Sequence, residues 1–153
     1  MFENLLKFFG SPGSYETPLP EADAKHAIGA LMVRAAKADK AYLFEEVEQI
    51  DRVLAERNGL NIVEAAKMRA ACEKLEEAMP STSELVDLLH NAISAAEKEA
   101  TVRALWTVVF ADGVEHEEED ELMHEIERVL GLTPGIAKRL HDEAVARSKT
   151  FNS

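Results

Sequence analysis

The chain has 153 residues, is 46% hydrophobic and carries a formal net charge of −12. That is one ordinary globular domain with apolar chain enough for a sizeable core, and its acidity excludes the basic footprint that nucleic-acid binding needs, fitting a protein that meets a basic partner or bound cations. The single cysteine, Cys72, excludes an internal disulfide and fits a reducing, cytoplasmic setting, while no apolar run reaches membrane-spanning length, the best (residues 104–111) being interrupted by Thr107.

Residues 2–9 carry Phe2, Leu5, Leu6, Phe8 and Phe9. They read as a short amphipathic segment docked on the domain or on a neighbouring copy, the arrangement a homodimer would use. Glu3 and Lys7 bracket too short an apolar stretch for a signal peptide, and the polar side lacks the Lys and Arg of a membrane-surface anchor. Residues 10–20 are a linker of turn residues. Residues 1–20 are therefore expected to be separable from a helical domain over 21–150.

The first helix is expected over about residues 21–38, with Ile28, Leu31, Met32 and Ala35 inward. The second covers about 44–57 and stops at Asn58-Gly59. The third spans 62–78 and is closed by Pro80; Ser81 and Glu84 then offer a capping box for a fourth. The fifth, about 94–111, is the most apolar and on that ground the expected centre. A sixth, acidic helix begins near Glu117, and Thr133-Pro134 opens a seventh to about residue 147, with residues 151–153 as a frayed end. No stretch reads as a strand. The fold class is all-α, a compact bundle of about seven helices.

The most informative stretch is residues 106–132. An apolar run ends at Asp112-Gly113, where Gly takes the left-handed conformation cheaply, and a helix follows with Leu122, Met123, Ile126, Val129 and Leu130 on one stripe. At about 100° per residue Glu119 falls inside that stripe, with His116 and Asp120 at its edges and Glu121 and His124 pointing away. An acid on a buried face needs a partner. The same unit occurs earlier: Asp39 aligns with Asp112 and Glu46 with Glu119, both at an offset of 73 residues. Ala27, Met32, Ala35 and Ala36 match Ala100, Leu105, Val108 and Val109. Two copies predict a pseudo-symmetric pair of helical hairpins, not a solenoid.

Ala-Asp-Gly followed by Glu seven residues after the Asp, repeated in one all-helical chain, resembles the TerB-like (tellurite-resistance) family, in an uncharacterised bacterial branch. The resemblance covers residue 24 to the end of the seventh helix and is stronger in the second repeat. It implies a compact seven-helix bundle, paired acids that bind divalent metal, and a role in metal or stress responses. Lys40 departs from the pattern, standing where the family has Gly, and a cation beside Asp39 would weaken a metal site there.

Asp112, His116, Glu119 and Asp120 are the candidate ligands in the second repeat, with Asp39 and Glu46 their counterparts in the first. An oxygen-rich set suits Ca²⁺, Mg²⁺ or Mn²⁺, and an imidazole admits Zn²⁺. The alternative is structural: Glu119 and Glu46 accept backbone N–H groups of the preceding turns, or pair with buried arginines such as Arg34 or Arg103. EF-hand and His-Glu-x-x-His patterns are missing. Glu121-x-x-His124 lacks the further ligands of a di-iron bundle. Cys72 reads as a core thiol, and Trp106 and Phe110 as core, a ligand pocket being their alternative. The leading functional reading is a non-enzymatic cytoplasmic module with a metal-sensing or scaffolding role and a protein partner. The contrasting ones are a metal-dependent enzyme using the acidic cluster and an acidic protein-interaction scaffold, since residues 115–121 form a largely solvated acidic face.

Overall fold

Asp23 starts the first helix by accepting a hydrogen bond from the His26 backbone N–H at 2.9 Å, the usual way to satisfy an orphan donor at a helix start. The computed structural model describes residues 23–38, 42–90, 92–113 and 115–152, and its regular elements there are all helical. They are α1 (Ala24–Lys37), α2 (Phe44–Asn58), α3 (Ile62–Ala78), α4 (Thr82–His90), α5 (Ala95–Val109), a 3-10 turn (Phe110–Asp112), α6 (Glu117–Leu130) and α7 (Pro134–Asn152). The amphipathic segment and linker expected over residues 1–20 lie outside the described residues.

The boundaries follow from local chemistry. Asn61 and Glu64 form a reciprocal capping box at the start of α3, with bonds of 3.0 and 2.8 Å. Ser94 and Glu97 do the same for α5. Gly59 and Gly131 end α2 and α6 in the left-handed conformation, at φ 64° and 82°. Thr133 accepts from the Ile136 N–H at 3.3 Å, directly before Pro134. Two ends differ from expectation. α5 tightens into the 3-10 turn after Val109, a common way of satisfying terminal groups. α7 continues to Asn152, through the segment expected to fray.

The centre of the molecule is α1, not α5 as the sequence suggests. α1 packs against α2, α3, α4, α5 and α6, and its residues from Ala27 to Val33, with Ala35 and Ala36, are all buried. The reason is size: Ala27, Gly29, Ala30, Ala35 and Ala36 let neighbours approach closely from several sides. Gly29 is the tightest point, since a Cβ there would stand 2.2 Å from Cys72 Sγ on α3. Cys72 is fully buried, and burial, with Asp23 and Glu73, pushes its thiol up to about 12; it is the core thiol expected. α4 packs on both α1 and α6, tying the two halves together, and α7 lies on α5.

Arg34 clamps α1 to the α3–α4 connection. Its Nε donates to Glu76 Oε2 at 3.0 Å, Nη1 to Thr82 Oγ1 at 3.2 Å, and Nη2 to the carbonyls of Glu76 and Met79. Lys37 adds a 2.8 Å bond to Glu76 Oε1. Both Arg34 and Glu76 are nearly buried, at 11% and 12% side-chain exposure, so each charge depends on the other.

Candidate functional site

The two acids singled out by the repeat have the same structural job. Glu46 and Glu119 are each 1% exposed and each occupies the third position of its helix, α2 or α6. Glu46 Oε1 accepts from the Leu43 N–H at 3.0 Å, and Glu119 Oε1 from the His116 N–H at 3.3 Å. Leu43 and His116 are the two N-cap residues. Leu43 has no polar side chain to offer in return, and at both helix starts a buried carboxylate reaching back covers the N-cap N–H. This is the backbone arrangement expected as the alternative to metal. The arginines proposed as partners are committed elsewhere, Arg34 to Glu76 and Arg103 to Glu143 and Glu99.

The other candidates separate. His116 is the half-buried N-cap of α6. Asp112 closes the 3-10 turn ahead of Gly113, whose φ of 79° permits the reversal; the side chain of Asp112, like the whole of Asp39, lies outside the described residues. Asp120 sits in the first turn of α6 and hydrogen-bonds Glu115. Among the described residues no group of three or more His, Cys, Asp or Glu is placed to hold a metal ion.

Glu115 joins a cluster that spacing within one helix does not reveal. Its Oε1 meets Nε2 of His141, on α7, at 2.9 Å. Burial would raise the Glu115 carboxyl, but hydrogen bonds from Asp120 and His141 hold it below its ordinary value. For Asp120 the balance reverses: burial, then the hydrogen bond and charge of Glu115, push it up to about 6 against the pull of His141 and His124. Asp120 is thus the acid of the pair that takes a proton first as pH falls. Burial lowers the His141 imidazole, but Glu115 outweighs it and the net shift is upward. The His141 ring also stands edge-on to Trp106, with centroids 4.8 Å apart.

Among the described residues, three buried side-chain atoms have no hydrogen-bond partner: Trp106 Nε1, Asp120 Oδ1 and Glu127 Oε2. Glu127 is 4% exposed; burial raises its carboxyl, with the charges of His124 and His141 pulling against it. Asp120 and Glu127 are seven apart and so lie on one face of α6. Glu121 and His124 are exposed, as their direction on the helix predicted.

Trp106 and Phe110 do more than fill core. Their rings lie 5.7 Å apart at 29° and both line a groove of about 370 Å³ among α2, α5, the 3-10 turn and α7. Trp106 is itself 1% exposed and Phe110 half-buried. No helix among the described residues is long and apolar enough to cross a membrane.

No curated protein and no solved structure matches the chain. The model of one family, described as tellurite resistance protein TerB, matches residues 25–142, from the second residue of α1 into α7. With that match over more than half its length, the chain belongs to the TerB family.

Proposed function

We propose that this TerB domain is a non-catalytic cytoplasmic module that takes a divalent cation at the acidic turn between α5 and α6 and acts in a metal or stress response. The observation that carries the proposal is the Glu115–Asp120 pair: two carboxylates held together beside the Asp112-Gly113 turn, with Asp120 Oδ1 buried and completing no hydrogen bond. A cation is the natural counter-charge for such a pair. Asp120, Glu115 and Asp112 would hold it through oxygen, which suits Ca²⁺, Mg²⁺ or Mn²⁺, and the imidazole of His116 would admit Zn²⁺. Glu119 shapes the turn from below by fixing the His116 backbone. In the first repeat Glu46 keeps only the structural half of this arrangement, and Lys40 supplies a cation of its own beside Asp39.

A second reading has its own support. Glu117, Glu118 and Glu121 are exposed and make no ion pair among the described residues, so the start of α6 presents an acidic face to a basic protein partner. Elemental analysis of protein purified without chelator or affinity metal separates the two. Retained or readily acquired divalent metal, lost on Asp120→Asn, supports the cation site. Protein that neither retains nor takes up metal rejects it and leaves the acidic face.

A further inference from the structure

The groove beside Trp106 is built for a charge opposite to that of the chain. Arg52 comes to it from α2 and Arg147 from α7. Both are exposed, and neither makes an ion pair or side-chain hydrogen bond among the described residues. A shortage of acids does not explain this, since Asp and Glu outnumber Lys and Arg by 29 to 17. Arg34, Arg69, Arg103 and Arg139 pair with carboxylates; among the described residues Arg57 and Arg128 do not, but of the unpaired arginines it is Arg52 and Arg147 that meet at the groove. Two guanidinium groups at one groove, with Gln49 and Ser148 as neutral hydrogen-bonding neighbours, form a cationic rim. The half-buried Phe110 ring supplies apolar surface below it, backed by the buried indole of Trp106 at 5.7 Å.

We infer that this groove binds a small planar organic anion, an aromatic or similarly flat body carrying a phosphate or carboxylate head. Guanidinium forks match both head groups and tolerate little else as well. The flat body would lie against Phe110, close enough to the buried Trp106 indole to be felt there, and apolar burial adds to the charge term. The volume, about 370 Å³, is in the range of small-molecule sites, roughly 300–1,000 Å³, and admits one or two rings with a head group. None of the acids assigned to the cation lines the groove, so the inference stands apart from that proposal.

The chain has one tryptophan, which makes the test direct. Its single indole N–H resonance, in a nitrogen–proton correlation spectrum of the full chain, is followed during titration with phenyl phosphate, benzoate, benzyl alcohol and inorganic phosphate. Phenyl phosphate or benzoate is expected to shift the Trp106 signal saturably, the stronger of the two naming the head group; benzyl alcohol and inorganic phosphate are expected to bind far more weakly. Arg52→Gln and Arg147→Gln should each weaken binding about fivefold, the scale of one exposed ion pair, and leave the melting temperature unchanged. Equal response to benzyl alcohol, undiminished binding by the double variant, or no shift with millimolar aromatic anion would each overturn the inference.

Discussion

The two halves of this chain start from one pattern and treat their charges differently. In the first half the buried and half-buried charges are matched: Arg34 with Glu76, Arg69 with Asp51 at 2.6 Å, and Tyr42 with Glu73 at 2.8 Å. In the second half lie the three buried side-chain atoms that have no hydrogen-bond partner among the described residues, together with the hydrogen-bonded Glu115–Asp120 pair. Glu46 and Glu119 show that the buried carboxylate closing the helix start is common to both. What differs is what surrounds it. A repeat whose buried charges are matched supports the fold, whereas one that leaves buried polar atoms unmatched has capacity left for a ligand.

The largest expected effect falls in the matched half. Arg34→Ala removes four hydrogen bonds and leaves Glu76 nearly buried beside only Lys37. Breaking a buried pair by deleting one partner typically costs about 3–5 kcal/mol, and urea unfolding of the variant should show a loss on that scale. A loss below about 1 kcal/mol, the range of a surface pair, would mean that the clamp is not a structural difference between the halves.

Next in size are the two acids that the halves share. Glu46→Ala and Glu119→Ala should each cost about 1–3 kcal/mol, because the Leu43 or His116 N–H loses its acceptor. Glu121→Ala, on the exposed side of α6, should stay within about 0.5 kcal/mol of wild type. Parity of all three would dissolve the equivalence of the hairpins.

Much of that equivalence was legible in the residues themselves. Glu46 and Glu119 announce their burial because a 3.6-residue period carries them onto apolar stripes, and Gly59, Gly131, Ser81 and Thr133 mark helix ends by local chemistry alone. The cluster around Glu115 was not legible, because His141 reaches it across 26 residues from another helix. Arg34 and Glu76 are likewise 42 apart. The central position of α1 was missed for a different reason: hydropathy favours the larger side chains of α5, whereas the centre of a bundle goes to a helix with small residues on several faces. The groove was half visible, in Trp106 and Phe110 at a spacing of four; Arg52 and Arg147 come from helices that only the fold brings together.

A smaller effect, opposite in sign, is expected at Glu127. Burial holds its carboxyl above the ordinary value, so the native state keeps a proton that the unfolded chain has already released. Ionised Glu127 therefore costs stability at neutral pH, and the cost fades as pH falls toward the ordinary glutamate value, about 4.3. Glu127→Gln should melt higher than wild type at pH 7, with the gap narrowing as the medium is acidified. A variant that melts lower at neutral pH would show that the ionised carboxylate is matched after all, and would place the second half alongside the first.

The difference between the repeats is tested most directly by melting wild type, Glu46→Ala and Asp120→Asn with and without Mn²⁺. Ligand binding to the folded state alone stabilises by mass action, by about 2.7 kcal/mol at a hundredfold excess over Kd. Wild type and Glu46→Ala should both gain melting temperature from Mn²⁺, while Asp120→Asn should gain none. A gain that survives Asp120→Asn but vanishes in Glu46→Ala, or no gain in any of the three, would contradict the assignment of the cation to the second repeat.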